Sequence, residues 1–252
     1  MVIYSAIEGG GTSWVAAIIN DKFETLDEKH FDTTTPEDTL SAITSWLSTK
    51  QYDAIGIASF GPVDIRKNSP KYGFITTTPK PGWQQADVLG LLGVRSGNKP
   101  FEFDTDVNAP AMSEYLMGQG RFSSCAYITI GTGVGVGVVI NGVSVKGLLH
   151  PEGGHIPVVR HPNDTYTCSC SFHTHCLEGY CNNISIAHRL HIDRTQLVDI
   201  PDDHEVWDFA AYYIAQLCMN LVLILSIERI FIGGGIMNRT VLLDKVWIWA
   251  CV

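Results

Sequence analysis

Twice along the chain an apolar stretch runs into a glycine- and threonine-rich corner and leaves it as a second apolar stretch ending in Ile-Asn. Residues 2–7 and 14–20 flank Glu8-Gly9-Gly10-Gly11-Thr12 and finish at Ile19-Asn20. Residues 126–130 and 134–140 flank Gly131-Thr132-Gly133 and finish at Ile140-Asn141. Short apolar runs joined by a Gly-rich turn make a β-hairpin. The repeat therefore predicts two halves of related design, each presenting one polar corner. Glycine lets backbone N–H groups approach a phosphate closely, and threonine adds a hydroxyl donor. A third corner, Gly233-Gly234-Gly235, follows an apolar run at 229–232. None of the three is a Walker A loop or a G-x-G-x-x-G fingerprint, because the required Lys or third Gly is missing. Each alone reads as an ordinary turn; three together, each directly after a strand, suit a nucleotide laid across a cleft.

The rest of the pattern fits an α/β chain. Residues 36–49 read as a helix with Leu40, Ile43 and Leu47 on one face. Residues 54–60 form a further apolar run closed by Gly61-Pro62, and 101–103 a short strand leading into Asp104-Thr105-Asp106. Residues 108–117 read as a helix that tolerates Pro110 in its first turn. Asp203 is placed to cap a long helix running to about Ser226. The domain boundary is expected around Gly118-Gln119-Gly120, giving lobes at 1–119 and 120–252.

With 252 residues, 45% hydrophobic and 17% charged, the chain can bury a sizeable core and is not disordered. Seventeen Lys and Arg against 26 Asp and Glu leave a formal charge of −9, the wrong sign for a nucleic-acid surface. The apolar run at 217–227 is too short to span a bilayer and contains Asn220. No basic leader precedes the first strand, and a cytoplasmic location is expected. In that compartment the sequons at Asn163, Asn183 and Asn238 stay idle.

Two side-chain groupings carry chemistry. Asp106 follows a strand and opens a helix, a usual place for functional groups. Beside phosphate corners, a carboxylate there can orient a hydroxyl and accept its proton during attack on a phosphoryl group. A helix cap is the competing reading, open equally to Asp104 and Asp106. The second grouping is His155, Cys168, Cys170, His173, His175, Cys176 and Glu178, in a stretch (148–179) that reads as loop. Four of the seven cysteines crowd between 168 and 181, which favours metal ligation over a disulfide framework. Closely spaced thiolates and imidazoles suit tetrahedral Zn²⁺, here in a structural role. The loop at 79–83 (PKPGW) reads as a turn, with Trp83 open to a role over a ligand.

Taken together these residues resemble the ROK family of sugar kinases, and within it the zinc-containing fructokinase branch. The matching stretches are IEGGGT (7–12), GIASFGP (56–62), TTTPKPGW (76–83), DTDVNA (104–109), IGTG (130–133), PEGGHIP (151–157) and CSFHTHCLEG (170–179). They run in family order from residue 3 to about 240.

The resemblance implies an actin-like, ribonuclease H-like fold of two lobes, with ATP and sugar in the cleft between them. It makes Asp106 the catalytic base toward the sugar's primary hydroxyl. It places Thr105, Asp106, Glu152, His155 and Glu178 against the sugar. Gly10, Gly11, Thr12, Thr132 and Gly133 fall on the phosphate turns, and Gly234 and Gly235 on the adenosine turn. The zinc ligands it implies are His155, Cys170, His173 and Cys176, with Mg²⁺ accompanying ATP and a homodimer as the assembly. The expected reaction converts D-fructose and ATP to fructose 6-phosphate and ADP. Mannose, glucose or an N-acylhexosamine is the alternative acceptor. A catalytically weak sugar- and zinc-binding protein is the alternative of another class.

Three departures from the family pattern stand out. Thr105 occupies a position where many members carry Asn. Cys168 and His175 are extra potential ligands. The family continues for roughly fifty residues beyond Met237, about a small helical unit, whereas this sequence ends in an apolar stretch at 246–252.

Overall fold

The computed structural model describes residues 1–250; Cys251 and Val252, the end of the apolar tail, lie outside the described residues. The chain folds into two compact units. One is Met1–Ala109 with Lys146–His150, and the other is Pro110–Val145 with the chain from Pro151 onward.

The first unit is built on strands β1 (Ile3–Gly9), β2 (Ser13–Asn20), β3 (Thr25–Asp32), β4 (Ala54–Ser59) and, beyond helices α1 (Pro36–Leu47) and α2 (Val88–Leu91), β5 (Phe101–Thr105). Their order in the sheet is β3-β2-β1-β4-β5. β1 and β2 form the expected hairpin, and β4 and β5 add in parallel. The residues 36–49 helix stops at Leu47, and Leu40, Ile43 and Leu47 are buried as the periodicity requires. Its N-cap is Thr35, whose hydroxyl accepts the Asp38 N–H at 3.1 Å.

An aromatic stack fills the core beneath the first corner. Trp83 is fully buried, stacks on Trp14 at 5.6 Å and meets Phe60 edge-on at 5.2 Å. Its indole N–H donates to Thr34 O at 2.8 Å. Trp83 is thus a core residue, not a lid over a ligand; an amphipathic ring buries well once its N–H has an acceptor.

The second unit repeats the plan. After α3 (Asn108–Met117) come β6 (Ser124–Ile130), β7 (Val134–Ile140) and β8 (Val143–Ser144). Helices α4 (Glu178–Cys181), α5 (Asn183–Leu190) and α6 (Glu205–Leu225), strand β9 (Arg229–Gly233) and α7 (Val241–Ala250) follow. The sheet order is β8-β7-β6-β9. β6 pairs antiparallel with β7 and parallel with β9, just as β1 pairs with β2 and β4.

By packing, α3 goes with this unit, not with the residues before it. Ala111 and Cys125 are fully buried together with Val139, and the Tyr115 and Phe122 rings meet at 6.3 Å. The sequence pattern puts the boundary at the 118–120 glycines, but the contacts that decide it are distant in sequence. α6 is long and apolar enough to cross a membrane. Its Trp207, Tyr213, Ile214 and Leu217 lie in the core of this unit. The cap of α6 is His204, whose ring nitrogen accepts the Val206 N–H at 3.2 Å, and not Asp203.

Candidate functional site

Sheet register brings the first unit's polar residues to one edge. Gly9 lies beside Ser59 across the parallel β1/β4 pair, and Ser59 lies beside Thr105 across β4/β5. The corner at 10–12, the loop entered at Phe60 and Asp106 therefore all leave the carboxyl ends of adjacent strands, where open α/β sheets bind ligands. Two backbone bonds tie these exits together. Phe60 N–H donates to Gly9 O at 2.7 Å, and Asp106 N–H donates to Ser59 O at 3.0 Å.

The corner itself is built for backbone approach. Gly10 N–H is used within the turn, on Ser13 O at 2.9 Å, and Gly10 O accepts the Thr33 hydroxyl at 2.8 Å. Gly11 faces open space, so a Cβ there would meet nothing within 4 Å, and Thr12 is exposed. Gly9 has a different reason to be glycine, because a Cβ would fall 2.4 Å from the buried Trp14 ring. The Trp14–Trp83–Phe60 stack therefore sits directly under the turn.

Around Asp106 the capping question resolves. Thr105 Oγ1 accepts the Asn108 N–H at 2.9 Å. Asp104 Oδ1 accepts the Thr105 N–H at 2.8 Å and the Asn108 side-chain amide at 2.7 Å. These bonds cap α3 without Asp106. Burial raises the Asp106 carboxyl to about 6, the Glu8 carboxylate pushes the same way, and a backbone hydrogen bond at Asp106 itself opposes them. A carboxylate that titrates near neutrality and is not needed to cap the helix has the properties of a general base.

In the second unit, β6 and β9 are parallel neighbours with Thr129 beside Gly233. The corners at 131–133 and 233–235 thus leave the same sheet edge. Gly234 has φ +92°, and a Cβ on it would lie 2.4 Å from Ile130 O. The two corners pack so closely that only glycine fits there. Thr132 is exposed, and Gly235 opens onto free space.

The Cys/His loop converges on four donors. One ligand atom each from His155, Cys170, His173 and Cys176 lies within 4.8 Å of all the others. Cys170 Sγ is 3.9 Å from His155 Nδ1 and 3.6 Å from His173 Nδ1. Edges near those values suit a tetrahedral metal with bonds of about 2.0–2.3 Å. Cys168 turns away, its Sγ donating to His173 O at 3.4 Å and packing where a Gly179 Cβ would stand. His175 is exposed and outside the group. Burial pushes the Cys176 thiol far up, and the Cys170 and Cys168 sulfurs add to the rise. A cation held there would supply the charge that a buried thiolate needs.

The loop that carries this centre is fixed elsewhere by a buried ion pair. Asp164 receives Arg189 through both carboxylate oxygens, at 3.1 and 2.8 Å, and the Tyr213 hydroxyl at 2.7 Å. Burial works against that carboxylate, but these donors outweigh it and hold Asp164 below its usual range. No local sequence signal singles out Asp164, since its partners lie 25 and 49 residues away.

Glu178 opens α4 two residues after Cys176, and its Oε2 accepts the Val134 N–H at 2.9 Å. Glu152 O accepts the His155 N–H at 3.0 Å and opens the short turn Gly153–His155.

Two sheets of one plan, each with Gly/Thr corners at its carboxyl edge, define an actin-like ATPase fold of the sugar-kinase type. The chain belongs to the ROK family, which it matches over residues 4–248. It is 39% identical to a fructokinase from Streptococcus mutans serotype c over 249 residues, covering 97% of this chain and 83% of the relative. A fructokinase from Pediococcus pentosaceus is likewise 39% identical over 246 residues, 97% of this chain and 84% of its own. Among solved structures, a ROK family glucokinase from Streptomyces griseus, in complex with glucose and AMPPNP, shares the fold with a TM-score of 0.76. Its sequence is 22% identical, and the match covers 99% of this chain and 90% of that one.

Proposed function

We infer that this chain is a fructokinase, transferring the γ-phosphoryl group of ATP to D-fructose to give fructose 6-phosphate and ADP. The observation that carries the reading is near-complete alignment, at 39% identity, with fructokinases of the same family.

The residue roles in this reading are those the family resemblance implies, and the geometry of each unit is compatible with them. Asp106 accepts the proton of the fructose 6-hydroxyl as that oxygen attacks the γ-phosphorus. The bond from phosphorus to the bridging oxygen breaks, and ADP leaves with the electron pair. Thr105, held rigid as the cap of α3, sets the carboxylate's position. Gly10 shapes the first turn by donating its N–H to Ser13 O, and Gly11 and Thr12 there offer backbone and hydroxyl donors to phosphate oxygens, as Thr132 and Gly133 do in the second unit. Gly234 and Gly235 provide the close backbone approach for the adenosine. Mg²⁺ bound with ATP would neutralise part of the phosphate charge.

His155, Cys170, His173 and Cys176 would hold Zn²⁺, which supplies structural order to a loop with little core of its own. His155 faces Cys170 through Nδ1, so its Nε2–H remains to donate to a sugar hydroxyl. Glu152 and Glu178 complete the sugar contacts in this reading. A homodimer and a cytoplasmic location are part of it on the family resemblance, and light scattering of the purified chain tests the former.

The function is tested by coupled phosphorylation assays on fructose, mannose, glucose and N-acetylmannosamine. The 252-residue chain is run beside a version extended to family length. Fructose should give the highest kcat/KM. Preference for another hexose would move the chain to a different specificity within the family, and sugar binding without turnover would make it a binding protein.

A further inference from the structure

The turn at 131–133 is gripped from both sides by the segments that carry the Cys/His donors. On one side Val134 N–H donates to Glu178 Oε2 at 2.9 Å, and a Cβ on Gly133 would come within 2.8 Å of that same oxygen. At the other end of the turn, Asn183 N–H donates to Gly131 O at 2.9 Å. Across from Glu178, Gly154 lies so close that a Cβ would sit 2.0 Å from Val134 O. Gly154 directly precedes His155, and Glu178 follows Cys176 by two residues. Those two stretches are joined by Leu177 N–H to Ile156 O at 3.1 Å and Val158 N–H to His175 O at 2.9 Å.

We propose that Glu178 is a positioning residue for the nucleotide: its carboxylate fixes the entry of β7 and thereby the shape of the 131–133 phosphate turn. This rests on the reading that the turn receives phosphate, and it adds a role to the sugar contact assigned to Glu178 above. The physical argument is reach. A charged acceptor on a backbone N–H is among the stronger hydrogen bonds. Here it pins the residue immediately after the turn, while the packed centre holds the other end of the lever. Without it, the turn loses one of its two fixed ends.

Two substitutions separate reach from charge. Glu178→Gln keeps chain length and an oxygen acceptor for Val134 N–H but removes the charge. Glu178→Asp keeps the charge but falls one methylene short. Binding of AMPPNP with Mg²⁺ is measured by calorimetry without sugar. Amide exchange at Val134 is followed in parallel, and metal content and circular dichroism confirm the fold. The proposal expects the Gln variant, whose neutral oxygen keeps the bond but weakens it, to bind AMPPNP within about 3-fold of the unaltered chain, with Val134 exchange only a few-fold faster. It expects the Asp variant to bind about 10-fold more weakly, with faster Val134 exchange. Asp binding as tightly as the unaltered chain, or Gln losing as much as Asp, overturns it. If the unaltered chain fails to bind AMPPNP while holding its fold, the kinase reading falls and takes this inference with it.

Discussion

The Thr105 hydroxyl accepts the Asn108 N–H at 2.9 Å, and that bond releases the next residue, Asp106, from capping α3. The expected consequence is kinetic. Asp106→Asn should lower kcat by roughly 10²–10⁴ with fructose affinity largely kept, because the amide keeps the shape but cannot accept the proton. Steady-state kinetics with fructose and ATP check this. An unchanged kcat would remove Asp106 from the role of base.

The same carboxylate gives a pH signature and a stability signature. Burial and Glu8 raise Asp106 to about 6, so kcat/KM should fall as pH drops through that value. For stability the sign is opposite to that of a salt-bridged acid. Between the ordinary value of 3.8 and about 6 the folded state holds a proton that the unfolded state has released. Stability therefore declines as pH rises through that window. A tenfold change in a carboxyl's acidity between the unfolded and folded chain corresponds to about 1.4 kcal/mol, which solvent screening reduces. Asp106→Asn should thus stabilise the fold by about 1–2 kcal/mol at pH 7, and the gain should vanish below about pH 4. Denaturant midpoints at the two pH values measure it.

How much of this is legible in the sequence depends on whether the signal is local. The hairpins around 8–12 and 131–133 can be read because strand periodicity and Gly-rich turns are written in adjacent residues. α3 is readable to its ends, Asn108–Met117, for the same reason. β3 escapes because TLDEKHFD carries no apolar alternation: it is an exposed edge strand with only Phe31 buried, and its charges protect the edge. Asp104 and Asp106 are indistinguishable on paper, since the choice lies in which carboxylate meets the Asn108 amide. The choice of His155, Cys170, His173 and Cys176 as candidate metal donors comes from family resemblance. Spacing alone leaves Cys168 and His175 open; the group that converges in the structure contains neither, and Cys168 Sγ donates to His173 O instead. Trp83 reads as a loop aromatic because its partners, Trp14 and Phe60, lie far away in sequence.

The proposed zinc site should be separable from the proposed role of Asp106. Cys176→Ala removes a buried donor and leaves three ligands, so bound zinc measured by atomic spectroscopy should fall well below one per chain. Fructose affinity should weaken with it, because His155 loses its anchor. Proteolysis should accelerate within 148–179. Full zinc retention would contradict the assignment of Cys176.

Glycines in and against the corners should divide into two kinds when replaced by alanine. At Gly154 the new methyl would collide with Val134 O at 2.0 Å, a backbone atom that cannot swing aside. Gly154→Ala should therefore destabilise the second unit by about 2–3 kcal/mol. At Gly11 nothing lies within 4 Å of an added Cβ. Gly11→Ala should leave the unfolding free energy within about 0.5 kcal/mol of the unaltered chain. If that corner takes phosphate, the methyl occupies the space the oxygens approach through, and the KM for ATP should rise several-fold while stability stays put. A Gly11→Ala enzyme with unaltered ATP kinetics would show that the first corner is a plain hairpin turn, and phosphate binding would then rest on the 131–133 turn.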